Sequence, residues 1–196
     1  MIGVHKGLKQ IWIEEYSSDF ELLVVELNVA NKDIRIISGY GPQESWPEVE
    51  RMPFFMALEQ EIVKAEIAGK SILIEIDANS KLGPHLVPGD MHNQTENGRI
   101  LSGIIERHGL VIGNGGNKCK GIVTRKRVTK QTTEESIIDF VIMSEDLIED
   151  LESIEIDDKR EHVLTKLTKT KKGVVKVESD HNVIFSKFKM SWNKKS

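Results

Sequence analysis

This chain has almost no cysteine. Its 196 residues hold one, Cys119, so no internal disulfide forms, and a reducing, intracellular setting, nuclear or cytoplasmic, is expected. Lys118 and Lys120 flank the thiol, a setting that lowers a cysteine pKa, but the thiol reads as incidental. Long apolar runs are also lacking: no stretch of about 18 apolar residues is present to span a bilayer, and residues 1–9 lack the apolar core of a signal peptide. No membrane partner is therefore expected. There is no Gly-x-x-x-x-Gly-Lys phosphate loop and no Gly-x-Ser-x-Gly elbow, which leaves nucleotide-triphosphatase and serine-hydrolase readings without support. Excess positive charge is missing too, since the net charge is -4, an awkward balance for a nucleic-acid partner.

What is present is an ordinary globular composition, 39% hydrophobic and 30% charged, at a length that suits one domain over 1–190 followed by a tail at 191–196. Charge is segregated along it. Lys118, Lys120, Arg125, Lys126, Arg127 and Lys130 fall in a stretch without an acid, a second basic stretch runs from Lys166 to Lys176, and Glu145 to Glu161 is acidic. Such segregation gives either a basic face or merely solvated loops.

Glu21–Val29 and Asp33–Tyr40 are short β-branched runs around Ala30-Asn31-Lys32 and read as a hairpin. Apolar spacing predicts a helix over Glu48–Ala68, closed by Gly69, with its start displaced toward Pro53. Ser71–Ile76 reads as a strand buried on both faces, and 81–95 as a surface loop. Asn97 is the expected cap of a helix ending at His108-Gly109. Further strands are expected at Leu110–Ile112, Gly121–Thr124, Ser136–Met143, Leu151–Ile156 and Asn182–Met190. Many strands and two long helices predict an α+β chain of packed sheets flanked by helices.

Three polar groups sit where apolar runs stop or break: Asp77 and Asn79 after Ser71–Ile76, Asp139 inside Ile137–Ile142, and Asp180-His181 before the last strand. A carboxylate among buried neighbours needs a partner, and His181 is the natural one for Asp139, an acid that holds an imidazole in one tautomer. If the strand ends converge, Asp77, Asn79, Asp139, Asp180 and His181 supply what phosphodiester cleavage requires: a group to align water, donors for phosphate, and charge stabilisation. The bland readings are an Asx turn at Asp77-Ala78-Asn79 and a structural Asp-His pair. His85 and His92, near Asp90, are spaced wider than a zinc helix uses and read as solvated loop residues; His5, His108 and His162 have no evident companions.

At these residues the chain resembles the endonuclease/exonuclease/phosphatase superfamily of DNase I-like and apurinic-site endonucleases. Within it, the chain is most similar to non-LTR retrotransposon endonuclease domains and craniofacial-development-protein-2-like proteins. The resemblance spans Gly3 to Trp192 and rests on Ser38-Gly39-Tyr40-Gly41-Pro42, Ile76-Asp77-Ala78-Asn79, Asn97-Gly98-Arg99, Ile122-Val123-Thr124, Ser136-Ile137-Ile138-Asp139-Phe140 and Ser179-Asp180-His181. It implies a four-layer α/β/β/α sandwich of two mixed sheets with its first strands missing, and a metal-dependent endonuclease acting on DNA. By resemblance, Asp77 orients or deprotonates the attacking water, Asn79 donates to the phosphate, His181 held by Asp139 stabilises charge, and Tyr40 points its phenol at the phosphate. Asp180 belongs to the metal environment, with Mg2+ or Mn2+ as the ion. Thr124, Arg125, Lys126 and Arg127 are the expected nucleic-acid contacts. In relatives, a reverse transcriptase is fused to or partners the domain.

The chain also departs from the family pattern. Relatives carry an Asn and a metal-binding Glu on two strands before the segment matched by Gly3-Val4, and none of Glu14, Glu15, Glu21 or Glu26 is placed to substitute. The expectation is an N-terminally truncated domain with weak or absent hydrolysis and a sheet edge open to self-association. Gln43 stands where some relatives have Asn, and Arg125 where they carry an aromatic. Two other readings remain: a catalytically inactive remnant that binds nucleic acid or protein, and a phosphatase for a small phosphorylated substrate.

Overall fold

Ala30 and Asn31 both take left-handed backbone angles, φ 53° and 66°, which is the two-residue turn that matches the twist of a hairpin. They join β2 (Glu21–Val29) to β3 (Lys32–Tyr40) as expected. The structure is a computed structural model that describes residues 9–16, 21–170 and 173–190. The segment Gly3-Val4, His5 and the tail 191–196 lie outside the described residues, as do Lys171 and Lys172 of the second basic stretch.

A strand before the hairpin, β1 (Lys9–Tyr16), pairs antiparallel with β2. After β3 the chain forms α1 (Glu48–Ile67) and returns as β4 (Ser71–Asp77), parallel to β3. Then follow α2 (Glu96–Arg107), β5 (Val111–Ile112), β6 (Cys119–Lys120), and a hairpin of β7 (Arg125–Val128) with β8 (Thr133–Ser136). The remainder is β9 (Asp139–Met143), α3 (Glu145–Asp150), β10 (Leu151–Ile156), a second hairpin of β11 (Thr165–Thr170) and β12 (Gly173–Glu178), and β13 (Ile184–Phe188).

Two mixed sheets result, one of six strands in the order β1-β2-β3-β4-β9-β5 and one of three, β13-β10-β6. The large sheet is buried on both faces, as the continuous apolar runs require. On one side Val24, Ile37, Ile74 and Phe140 pack with Phe54, Leu58 and Ile62 of α1 and Leu101 and Ile104 of α2. On the other, Ile34, Leu73, Val141 and Met143 meet Leu151, Ile154 and Ile156 of β10. This is the expected α+β arrangement of packed sheets flanked by helices.

Several local expectations are corrected. α1 begins at Glu48 and carries Pro53 inside it; burial of Phe54 and Phe55 at 1% exposure outweighs the hydrogen bond a proline forfeits. Thr95, not Asn97, caps α2, its hydroxyl accepting from Gly98 N. Asn97 is fully buried and ties Pro42 O to Arg51 Nη1 instead. Gly121–Thr124 is not a strand: Gly121 has φ +76° and would place a Cβ 2.4 Å from Ile156 O. Ser136 belongs to β8 and Ile137-Ile138 is a buried break before β9. The loop 81–95 is more than surface, because Leu82 and Val87 enter the core and buried Asp90 accepts from Gly83 N, His92 N and His92 Nδ1. Among the described residues no helix is long and apolar enough to cross a membrane.

Candidate active site

Tyr40, Asp77 and Asp139 lie in one row across three neighbouring strands. Tyr40 is the register partner of Asp77 between β3 and β4, and Asp77 is that of Asp139 between β4 and β9, so the three side chains leave the sheet side by side. The ladder runs slightly past the strand ends through Gly41 N to Asp77 O (2.6 Å) and Ala78 N to Ile138 O (2.8 Å). Glycine is needed at 41 because a Cβ there would sit 2.8 Å from Ala78 O.

His181 arrives from the segment before β13. That segment is pinned to the start of β7: Asn182 N donates to Thr124 O and Lys126 N to Asp180 O, both at 2.7 Å. The imidazole Nδ1 then meets both oxygens of Asp139, at 3.0 and 3.1 Å. Its Nε2 faces Asp77 Oδ2 at 3.6 Å and Asp180 Oδ1 at 3.9 Å. The structure therefore brings together Asp77, Asp139, Asp180 and His181, residues up to 104 positions apart in the chain (181 minus 77).

The electrostatics follow from this crowding. Burial, reinforced by the Asp139 charge, pushes the Asp77 carboxyl up to about 6. The hydrogen bond to Asp139 raises the His181 imidazole above its ordinary value, against the opposing pull of burial. Burial also works to raise Asp180, but the Arg125 hydrogen bond and charge hold that carboxyl below the usual range. Asp77, Asp139 and His181 each offer a ligand atom within 4.8 Å of the others. Asp180, expected in the metal environment, is not part of this group; Arg125 Nε binds its Oδ2 at 2.8 Å, while its Oδ1 faces His181.

Asn79 combines the turn and site readings. It takes φ 45°, its amide N donates to Asp77 Oδ1 at 3.0 Å as in an Asx turn, and its Nδ2 donates to Gly41 O at 2.8 Å. Gln43 completes the rim: its Nε2 donates to Asn79 Oδ1 (3.0 Å) and reaches the Tyr40 hydroxyl (3.2 Å). Tyr40 itself is 44% exposed, open to a ligand.

The expected nucleic-acid contacts divide. Thr124 is fully buried, and its hydroxyl accepts from Ile138 N (2.9 Å) and Asp139 N (3.1 Å); a surface contact by this side chain is ruled out by its burial. Arg125 spends its Nε on Asp180, Lys126 pairs with Glu135 at 2.7 Å, and Arg127 lies exposed opposite Glu134. Lys118 caps the end of α3 by donating to Ile148 O and Leu151 O. The neighbouring Cys119 thiol is pushed up by burial, not lowered by its lysines. His108 does have companions, Glu66 at 2.9 Å and Glu59 at 3.3 Å.

Sequence reasoning missed Asn114 and Arg160, and noted Gln43 only as a departure from the family pattern, without its bridging role. Buried Asn114 donates to Asp139 O (3.0 Å) and accepts from Val141 N (2.9 Å), so both backbone groups of Asp139 are held by side chains, the other being Thr124. Asn114 and Arg160 bond mainly to main chain far away in sequence, and Gln43 to the side chains of Tyr40 and Asn79, none of which leaves a periodic or compositional signal.

No family model matches the chain, and no curated protein matches it in sequence. Solved structures do match in fold. The endonuclease domain of TRAS1, a telomere-specific non-LTR retrotransposon, superposes with a TM-score of 0.63 at 18% identity, covering 94% of this chain and 70% of its own. The 3' phosphatase NExo from Neisseria, bound to a product DNA hairpin, gives 0.60 at 13% identity, with 92% and 72% covered. An endonuclease/exonuclease/phosphatase family protein from Leptotrichia buccalis gives 0.51 at 13% identity, with 86% and 53% covered. The fold is that of the endonuclease/exonuclease/phosphatase superfamily, and the chain spans between about half and three quarters of the length of these neighbours.

Proposed function

We propose that this chain is a metal-dependent phosphodiesterase of endonuclease type whose substrate is DNA. The observation that carries the reading is the meeting of Asp77, Asp139 and His181 at adjacent strand ends, with Asp77 held to about 6.

The donor set suits a hard divalent cation. Two carboxylates on one rung repel each other, and a cation bound to their oxygens offsets that charge. Asp77 and Asp139 would hold it through carboxylate oxygens, which suit Mg2+ or Mn2+. When bound, the ion supplies charge neutralisation at the phosphate oxygens.

The remaining work falls to the chain's own groups. Asp77 would orient a water and take its proton; in the ion-free chain burial and the Asp139 charge make it more basic than an ordinary carboxylate. Protonated His181, fixed by Asp139, turns Nε2 toward the space beside Asp77 and Asp180 and donates to a phosphate oxygen as negative charge develops. Asn79 has two amide hydrogens, of which Gly41 O takes one, leaving the other for the phosphate. The Tyr40 hydroxyl accepts from Gln43 and keeps its proton to give. Arg127, exposed on β7, contributes a backbone contact to DNA.

Nicking of supercoiled plasmid with Mg2+ tests this reading. Wild-type chain should convert plasmid to open circle, and Asp77→Ala and His181→Ala should not; equal activity in either variant would refute it.

A further inference from the structure

The segment that carries Asp180 and His181 turns its carbonyls toward one side chain. Arg160 Nη2 donates to Ser179 O at 2.5 Å, and Nη1 reaches Asp180 O at 3.3 Å and Asn182 Oδ1 at 3.4 Å. A guanidinium is a planar fork of donors, so the two carbonyls it binds, Ser179 O and Asp180 O, have their peptide planes fixed, and Asn182 Oδ1 is a third, side-chain acceptor on the same fork. Those peptides precede His181 directly.

Arg160 is itself held in an unusual backbone. Its φ is 58°, a left-handed angle that side chains other than glycine, asparagine and aspartate seldom take. Asp157 imposes it: Arg160 N donates to Asp157 O at 2.9 Å, the Asp157 carboxylate accepts from Glu161 N (2.9 Å) and His162 N (2.5 Å), and Asp157 N donates to Val183 O (2.9 Å). The turn 157–162 is thus fastened to the residue just before β13 and aims the arginine back across the 179–182 segment. The strained residue and the catalytic histidine are built into one unit.

We propose that Arg160 is the positioning residue for His181, setting where Nε2 stands relative to Asp77 by clamping the carbonyls of Ser179 and Asp180. It touches no substrate and acts through the backbone. Its effect on turnover rests on the hydrolytic reading above; its effect on the segment does not.

Two variants test this. Arg160→Gly accepts the left-handed backbone without strain and removes the clamp, whereas Arg160→Lys keeps the charge and loses the fork. Arg160→Gly should lower kcat by roughly 10- to 100-fold with KM little changed, as expected for a misplaced catalytic group. Added guanidinium should restore part of that rate, and should do nothing for His181→Ala. In the metal-free protein, hydrogen–deuterium exchange should rise at residues 179–182 and stay unchanged in β4 and β9. Arg160→Lys should lie between wild type and Arg160→Gly in both readouts, and it decides the matter if the glycine variant fails to fold. Wild-type kcat together with wild-type exchange at 179–182 would overturn the inference. Should the wild-type chain hydrolyse no phosphodiester, a rise confined to 179–182 upholds the positioning role and removes the hydrolytic reading instead.

Discussion

Asp77 and Asp139 face each other on one rung between β4 and β9, so two carboxylates are set side by side at the edge of a buried sheet. Asp77 carries the cost: an acid that titrates near 3.8 when unfolded is raised to about 6 in the fold. The folded chain then binds the proton more tightly than the unfolded one, so stability falls as pH rises from about 4 to about 6 and stays reduced above that range. Asp77→Asn should remove this penalty. The expected outcome is a metal-free variant more stable than wild type by on the order of 1–3 kcal/mol at neutral pH, with equal stability below pH 4 and no hydrolysis. Urea denaturation across this pH range checks the first part and a nicking assay the second.

His181 has the opposite sign. Its pKa is raised by the Asp139 hydrogen bond, so the stability it contributes is fully present below the unfolded value near 6.5 and is lost as pH climbs through the folded one. Asp139→Asn removes the charge that holds the imidazolium. The alkaline limb of the pH–rate profile should move to lower pH, and an NMR titration of the metal-free protein should show the His181 pKa falling in step.

Gln43 bridges Asn79 and Tyr40 without packing into the core. Gln43→Ala should therefore leave the melting temperature within a few degrees of wild type while turnover falls by roughly 10-fold, about what one misplaced donor costs. A combined melting and rate measurement separates this from a folding defect.

Thr124 is a fastener, and the isosteric Thr124→Val would leave two amides, Ile138 N and Asp139 N, without their acceptor. A loss of about 1–3 kcal/mol of stability is expected, and Thr124→Ser should recover most of it. The salt dependence of DNA binding should not change, because the side chain is fully buried.

Arg127 is the opposite case. As an exposed cation on β7 it should contribute to binding through phosphate contact, and Arg127→Ala should weaken duplex binding uniformly across sequences and reduce the slope of log K against log salt by about 1. Titrations at several salt concentrations read this directly. An unchanged slope would place the DNA elsewhere.

Which parts of this site the sequence makes legible has a physical pattern. Asp77 and Asp139 are visible because a carboxylate beside an apolar run has few explanations, and His181 because it follows an Asp shortly before the last strand. The hairpin of β2 and β3 and the buried strand β4 follow from runs of β-branched residues. By contrast, the roles of Thr124, Asn114, Gln43 and Arg160 lie in a few hydrogen bonds that only the fold brings about, and a threonine that accepts from an amide 15 positions on looks like any other threonine. Charge misled for the same reason. Lys118 to Lys130 looks basic as a run, yet β7 pairs with β8, which sets Glu135 against Lys126 in an ion pair, and only the register shows that neutralisation. The cap of α2 went to Thr95 instead of Asn97 because Asn97 is needed between Pro42 and Arg51, a tertiary demand stronger than local capping preference.

Single-turnover cleavage of an end-labelled DNA duplex, with Mg2+ or Mn2+, by wild type, Asp77→Asn and His181→Ala tests the central claim most directly. Metal-dependent cleavage by wild type, abolished in the two variants although both remain folded, is the predicted result. Cleavage that persists in folded Asp77→Asn, or a well-folded wild type that binds the duplex and never cuts it with either metal, would contradict a hydrolytic centre at Asp77, Asp139 and His181.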